Sequence, residues 1–271
     1  MIANLDEYRR LAAALARRLA TDPEAADLAR ELEPLLRYEL EREIPERDRL
    51  AARLAGASML PAGRRTAIIS DIHGNHAGLL AALEDIARQA CDRIVCLGDL
   101  VEGGPADDAV VAEIVSRRIP CVRGNHDENN DVVLTEESRR FLAALPERFV
   151  EEGVLYTHIS PRPIRRKVNH EVEAWNVFDE SDFRLMFVGH VHVPYVFGEL
   201  SETHGQATRH AFEYNRPFPI SGDRYIVSVG SIGYGRDLVG KIRYAIHDRE
   251  AATVELRAIE GPLLPLDQAR G

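Results

Sequence analysis

Residues 66–76 read Thr66-Ala67-Ile68-Ile69-Ser70-Asp71-Ile72-His73-Gly74-Asn75-His76. A short apolar run ends abruptly in a carboxylate, an imidazole and a glycine. The run has the pattern of a buried strand, and the polar residues fall where such a strand would stop. The pattern repeats downstream. Residues 77–89 read as a helix, 93–97 as a second strand, 106–117 as a second helix and 120–123 as a third strand. A βαβαβ series predicts a parallel sheet with right-handed crossovers. Later strands are expected at 154–157, 185–188, 193–197, 225–229, 241–246 and 253–259.

The chemistry sits at the strand ends. Strand two runs into Gly98-Asp99-Leu100-Val101-Glu102-Gly103-Gly104-Pro105, and strand three into Arg123-Gly124-Asn125-His126-Asp127. In a parallel sheet these carboxyl ends share one edge, where ligands bind in open α/β folds. Two later strands add Thr157-His158 and Gly189-His190-Val191-His192. Of the 10 histidines, His73, His76, His126, His158, His190 and His192 fall in these five segments. A lone histidine in a strand is ordinarily a core residue. Six beside glycines, mixed with carboxylate and amide oxygens, suit divalent transition metals. The set contains no thiolate, which disfavours a structural zinc ribbon. It holds too many donors for one tetrahedral ion and enough for two ions sharing a carboxylate. Asp99, behind a glycine at the end of the central strand, is placed to be shared. Two divalent ions about 3.5–4 Å apart repel and need such a bridge.

Composition narrows the alternatives. The chain has 271 residues, 45% hydrophobic and 29% charged, which excludes a disordered chain. The longest uncharged stretch, 185–198, is shorter than the roughly 18 residues of a membrane span. Asp6, Glu7, Arg9, Arg10, Arg17 and Arg18 interrupt any signal-peptide core. Cys91, Cys96 and Cys121 form neither a disulfide framework nor a CxxC pair, and reduced thiols in a cytoplasmic protein are expected. A net charge of −10 argues against an extended nucleic-acid surface. It would also repel a small anion unless something reverses the field locally. Two divalent ions against the carboxylates of Asp71 and Asp99 would do so.

Residues 1–60 differ from the rest. They lack glycine before Gly56, and Ile2, Leu5, Tyr8, Ala12, Leu15 and Leu19 recur at helical spacing. A helical N-terminal extension is expected, packed on the main domain or on a second copy, so a homo-oligomer through 1–60 is open. A partner-binding arm is the sharper alternative. Residues 56–63, with Pro61, read as a linker and 261–271 as a C-terminal tail. The glycines of 230–235 do not have dinucleotide-binding spacing, and His170-Glu171 lacks the second histidine of HExxH.

Together, DxH at 71–73, GDxxxxG at 98–104, GNHD at 124–127, His158 and GHxH at 189–192 resemble the calcineurin-like binuclear metallophosphoesterases. The DIHGNH opening, the GDLVEGGP block and Ser228-Val229-Gly230-Ser231-Ile232-Gly233 with Arg236-Asp237 are most similar to the small prokaryotic phosphodiesterase-type branch. The resemblance covers 66–260 as one metallophosphoesterase domain. It implies an α/β fold: a four-layer α/β/β/α sandwich of two mixed β-sheets flanked by helices. It implies that Asp71, His73 and His192 hold one divalent ion, that Asn125, His158 and His190 hold the other, and that Asp99 bridges them. A bridging hydroxide would attack phosphorus in line. Manganese is the expected metal, with iron, nickel, cobalt or zinc as alternatives. His126 would face the substrate. Glu102 matches a position where the protein-phosphatase branch places an aspartate to orient that histidine; otherwise it is a solvated loop residue. The arginine that follows in that branch is Gly103 here, which weighs against phosphoprotein substrates. Arg123 is either a phosphate contact or a surface arginine. Arg162, Arg165, Arg166 and Lys167 either line the substrate entrance or form a solvated loop. Asp127 has the look of a turn residue bonding its own backbone. The implied function is hydrolysis of phosphodiesters or small organic phosphates, nucleotides included. The alternatives are a phosphomonoesterase acting on phosphoproteins or dinucleoside polyphosphates, and a scaffold that has lost catalysis.

Overall fold

Eleven strands and five helices follow one another in the computed structural model, which describes residues 64–237 and 240–265. The expected helical extension at 1–60 and linker at 56–63, and most of the tail at 261–271, lie outside the described residues. Strands β1 (Arg65–Ile69) and β2 (Arg93–Cys96) pair in parallel, as the opening βαβ pattern requires. Helices α1 (His76–Arg88) and α2 (Asp107–Ser116) follow them, and α1 is capped by the Asn75 side chain accepting from Gly78 N at 3.0 Å. The sheet is then completed by antiparallel strands β10 (Lys241–Asp248), β11 (Thr253–Glu260) and β8 (Pro217–Pro219), in the order β2-β1-β10-β11-β8.

A second mixed sheet contains β3 (Arg148–Glu151), β4 (Val154–Thr157), β5 (Leu185–Val188), β6 (Tyr195–Gly198), β7 (Thr208–Arg209) and β9 (Tyr225–Ser228), ordered β3-β4-β5-β9-β6-β7. Side-chain alternation along the strands builds the layers. Ile68, Val95, Ala245 and Leu256 from the first sheet meet Phe149, Tyr156, Phe187 and Val227 from the second. Ala67, Ile69, Tyr244 and Ile246 point the other way, onto Leu79, Leu83 and Ile86 of α1 and Val110 and Ile114 of α2. On the far face, Leu155, Met186 and Ile226 cover Ala174, Val177 and Phe178 of α5 (Glu171–Glu180). The four layers are those the resemblance implies. Strands buried on both faces read as unbroken apolar runs, which is why β4 and β5 are legible residue for residue.

Two expected strands are corrected. Residues 120–123 make only one parallel bridge, Cys96 to Cys121, because Pro120 has no N–H to donate and Arg123 N turns away to Pro146 O at 2.7 Å. The strand expected at 193–197 begins at Tyr195, after Pro194. Helices α3 (Asn125–Glu128) and α4 (Glu136–Ala144), α5, and the short β3, β7 and β8 are additions to the sequence reading. His170 of the failed HExxH pattern has a structural use, since its Nδ1 accepts from Glu173 N at 3.3 Å and caps α5.

Candidate metal centre

Loops leaving β1, β2, β4 and β5, together with α3, bring the seven expected ligands to one place. Asp71, His73, Asp99 and His192 offer donor atoms within 4.8 Å of one another. Asp99, His158 and His190 form a second such group, so Asp99 belongs to both. Asn125 joins the second group, its Oδ1 2.8 Å from His190 Nδ1 and 3.1 Å from His158 Nε2. All but Asn125 and His190 are buried.

The backbone is bent for this purpose. Asp71, His73, Asp99, Glu102, His190 and His192 all have positive φ, between 53° and 70°. Non-glycine residues seldom adopt this conformation, and strained backbone gathers at functional sites. Gly124 permits the close approach of α3, because a Cβ there would run into the backbone and carboxylate of Asp99. Asp127 then pins the loops together. Its carboxylate accepts from Asp99 N, Leu100 N and Gly124 N, each at 2.8 Å. That is a wider role than the local turn expected of it. Burial and the Asp99 charge push Asp127 up to about 6, against the Gly124 and Leu100 N–H donors and the His158 charge.

The donor chemistry fits divalent metal. His73 Nδ1 donates to Glu102 O at 2.8 Å and His158 Nδ1 to Leu97 O at 2.8 Å, so each ring turns its Nε2 toward the cluster. His73 Nε2 and His192 Nε2 face each other at 3.2 Å, an arrangement that a shared cation satisfies better than a single proton. Asp99 Oδ2 is buried and lies 3.0 Å from His158 Nε2 without the alignment of a hydrogen bond. The charges also call for a cation. Burial opposes ionisation of Asp71, but His192, His158 and His73 hold its carboxyl below the usual range. Burial likewise disfavours a charged His158, yet Asp99, Asp71 and Asp127 raise it to about 10. Burial lowers His73 to about 4, and burial with the His158 charge lowers His190 to about 4, which leaves both rings able to offer a lone pair at pH 7.

His126 stands outside both groups. Its N–H donates to Asp99 Oδ1 at 2.9 Å, and its Nδ1 lies 2.7 Å from Glu102 Oε2. Glu102 is therefore a partner of His126 rather than a solvated residue. The Arg123 guanidinium lies 3.7 Å from both Glu128 and Glu147. His76 begins α1, 3.8 Å from Glu113, and takes no part in either donor group. One residue escaped the sequence reading: Tyr234. Its ring stacks on His192 with an interplanar angle of 9° and a centroid separation of 5.6 Å, and it lies 5.2 Å from His73. A Cβ on Gly103, whose φ is +151°, would come within 2.5 Å of Tyr234 Oη. The space that an arginine side chain would leave from at 103 is therefore filled. The only sequence signal for Tyr234 was its place in the glycine-rich 230–235 segment, which carries no motif that assigns it.

Fold and donor set define a metallophosphoesterase, and the comparisons agree. The calcineurin-like phosphoesterase superfamily domain matches residues 65–251, and the chain belongs to this family. It is 29% identical over 227 residues to an uncharacterized protein of Methanocaldococcus jannaschii, covering 72% of this chain and 86% of that protein. A metallophosphoesterase from Sphaerobacter thermophilus superposes with a TM-score of 0.65 at 29% identity, over 73% of this chain and 89% of that one. A hypothetical protein from Pyrococcus horikoshii shares the fold at 17% identity, with a TM-score of 0.53 over 73% and 88% of the two chains.

Proposed function

We propose that the chain is a phosphoesterase dependent on two divalent ions, with small phosphodiesters or organic phosphates, nucleotides included, as substrates. The observation that carries this reading is the His126–Glu102 contact at 2.7 Å beside two donor groups that share Asp99. Asp71, His73 and His192 would hold one ion, Asn125, His158 and His190 the other, and Asp99 both. Bound there, divalent ions supply charge neutralisation at the phosphoryl oxygens and an acidified water. Manganese is the proposed metal, on the mixed oxygen and imidazole donors.

The chain's own groups handle the proton of the leaving oxygen. Glu102 Oε2 accepts from His126 Nδ1–H, which fixes the tautomer and the orientation of the ring. In its protonated form the ring donates Nε2–H to the ester oxygen as the P–O bond breaks; water supplies the oxygen left on phosphorus, and the proton it loses replaces the one the ring gave up. Asp99 Oδ1, by accepting from His126 N, holds the helix that carries the imidazole. Arg123 is proposed as a phosphate contact whose charge is shared with Glu128 and Glu147. Gly103 with Tyr234 above it favours small esters over phosphoproteins.

Chelation should abolish hydrolysis of bis-p-nitrophenyl phosphate and p-nitrophenyl phosphate, and added Mn²⁺ should restore it. The ratio of the two rates distinguishes diesterase from monoesterase. His126→Ala should keep wild-type metal content and lose about 10²–10⁴-fold in turnover. Full activity in excess chelator, or loss of a metal equivalent in that variant, would overturn these assignments.

A further inference from the structure

The loop between β4 and α5 carries Arg162, Arg165, Arg166 and Lys167, and the structure divides these four cations into two pairs. Arg162 grips Glu173 at 2.9 and 3.0 Å and Glu180 at 2.7 Å, both on α5. Arg165 reaches across to Glu128 of α3 at 3.1 Å, two residues beyond His126. Their charges are spent on holding the loop. Ser160 N donates to Arg166 O at 3.3 Å, which folds the loop back on itself. Val168, 2% exposed, anchors its end in the core under α5. Residues 166 and 167 are thereby returned to the neighbourhood of Ser160, two positions after His158.

Arg166 and Lys167 are exposed and pair with no acid among the described residues. Two uncompensated cations on a loop that follows His158 and is folded back to Ser160, in a chain of net charge −10, are a local reversal of field. A flexible solvated loop would not need two of its four cations as anchors.

We propose that Arg166 and Lys167 form a recognition site for a second anionic group on the substrate. The preferred ligands are then small organic phosphates with at least two anionic groups, one for the donor cluster and one for this loop. The proposal rests on the phosphoesterase reading for its substrate, but its binding prediction stands apart from catalysis. The test is calorimetric titration of the Mn²⁺-loaded full chain with thymidine 5′-phosphate and with thymidine 3′,5′-bisphosphate. Wild type should bind the bisphosphate about tenfold more tightly, the scale expected of two partly exposed ion pairs. Raising salt from about 0.05 M to about 0.5 M should shrink that preference. Arg166→Gln with Lys167→Gln should bring it to within about twofold, while Arg166→Lys with Lys167→Arg should retain it. Equal binding of the two ligands by wild type, or a preference that survives in the double glutamine variant, overturns the proposal. Hydrolysis of the p-nitrophenyl esters is followed on the same samples. Loss of preference in the glutamine variant from a wild type that hydrolyses nothing would overturn the phosphoesterase reading and support the recognition site. Hydrolysis by a wild type without preference would overturn the site alone.

Discussion

At the scale of single residues, Gly103 and Tyr234 illustrate what a motif leaves unsaid. The sequence marks Gly103 as a departure from an arginine, and only the structure shows that Tyr234 occupies the space beside it. Gly103→Ala would meet Tyr234 Oη and take up a positive φ, so it should cost about 1–3 kcal/mol in urea unfolding. Tyr234→Phe removes the atom that is met and should restore part of that loss in the double variant. Strictly additive effects would show that the two positions do not touch. That these donor residues converge was legible from type and position, because imidazoles and carboxylates after strands have few structural uses. Their left-handed backbone was not, since nothing in the letters for Asp71 or His190 announces a positive φ. The pairing of His126 with Glu102 was an open choice in the sequence. Three-dimensional proximity across 24 residues settled its geometry.

Among elements, the contrast between β5 and the 120–123 segment is instructive. Leu185–Val188 is flanked by paired strands on both sides, and its apolar run has one interpretation. Pro120 and the turn to Gly124 leave the other segment one bridge, and its run Pro120-Cys121-Val122-Arg123 ends in a charge. Helices α3, α4 and α5 were missed because their signals are caps more than stripes. Thr135 Oγ1 accepts from Ser138 N at 3.2 Å, and His170 caps α5. The joint between β2 and α3 depends on Asp127. Asp127→Asn offers one acceptor oxygen where three backbone donors need satisfaction, and its amide faces an N–H. A loss of about 2–3 kcal/mol in stability is expected. Metal stoichiometry should fall with it, as measured on the purified variant, because Asp99 and Asn125 lose their common support. A variant with wild-type metal content and melting temperature would remove Asp127 from this role.

For the whole molecule, the layer between the sheets carries a buried imidazole. His247 is 1% exposed on β10, rests against Phe187 at 5.7 Å, and has no hydrogen-bond partner for either ring nitrogen among the described residues. Burial, then the charges of Arg249 and Arg184, lower it to about 4, outweighing Asp248. The unfolded chain protonates this ring as pH falls through about 6.5, whereas the folded chain resists until about 4. Its contribution is therefore complete above about pH 6.5 and is lost progressively on acidification, on the order of 3 kcal/mol by pH 4. His247→Leu should flatten that part of the profile. The comparison is the melting temperature of variant and wild type at pH 7 and pH 5, and parallel losses would exclude His247 as a source.

The donor set is divided between the two sheets. Asp71, His73 and Asp99 leave the first, and His158, His190 and His192 leave the second. An ion held by both sets is a cross-link that exists only while the sheets remain docked. Binding to the folded form alone should add about 2.7 kcal/mol at a hundredfold excess of Mn²⁺ over its dissociation constant, seen as a rising melting temperature. A melting temperature indifferent to Mn²⁺ would mean that the cross-link does not form. With it, the survival of the chain against proteases becomes a function of the metal supply around it. Starvation for metal would then silence the protein by shortening its lifetime as well as by emptying its site.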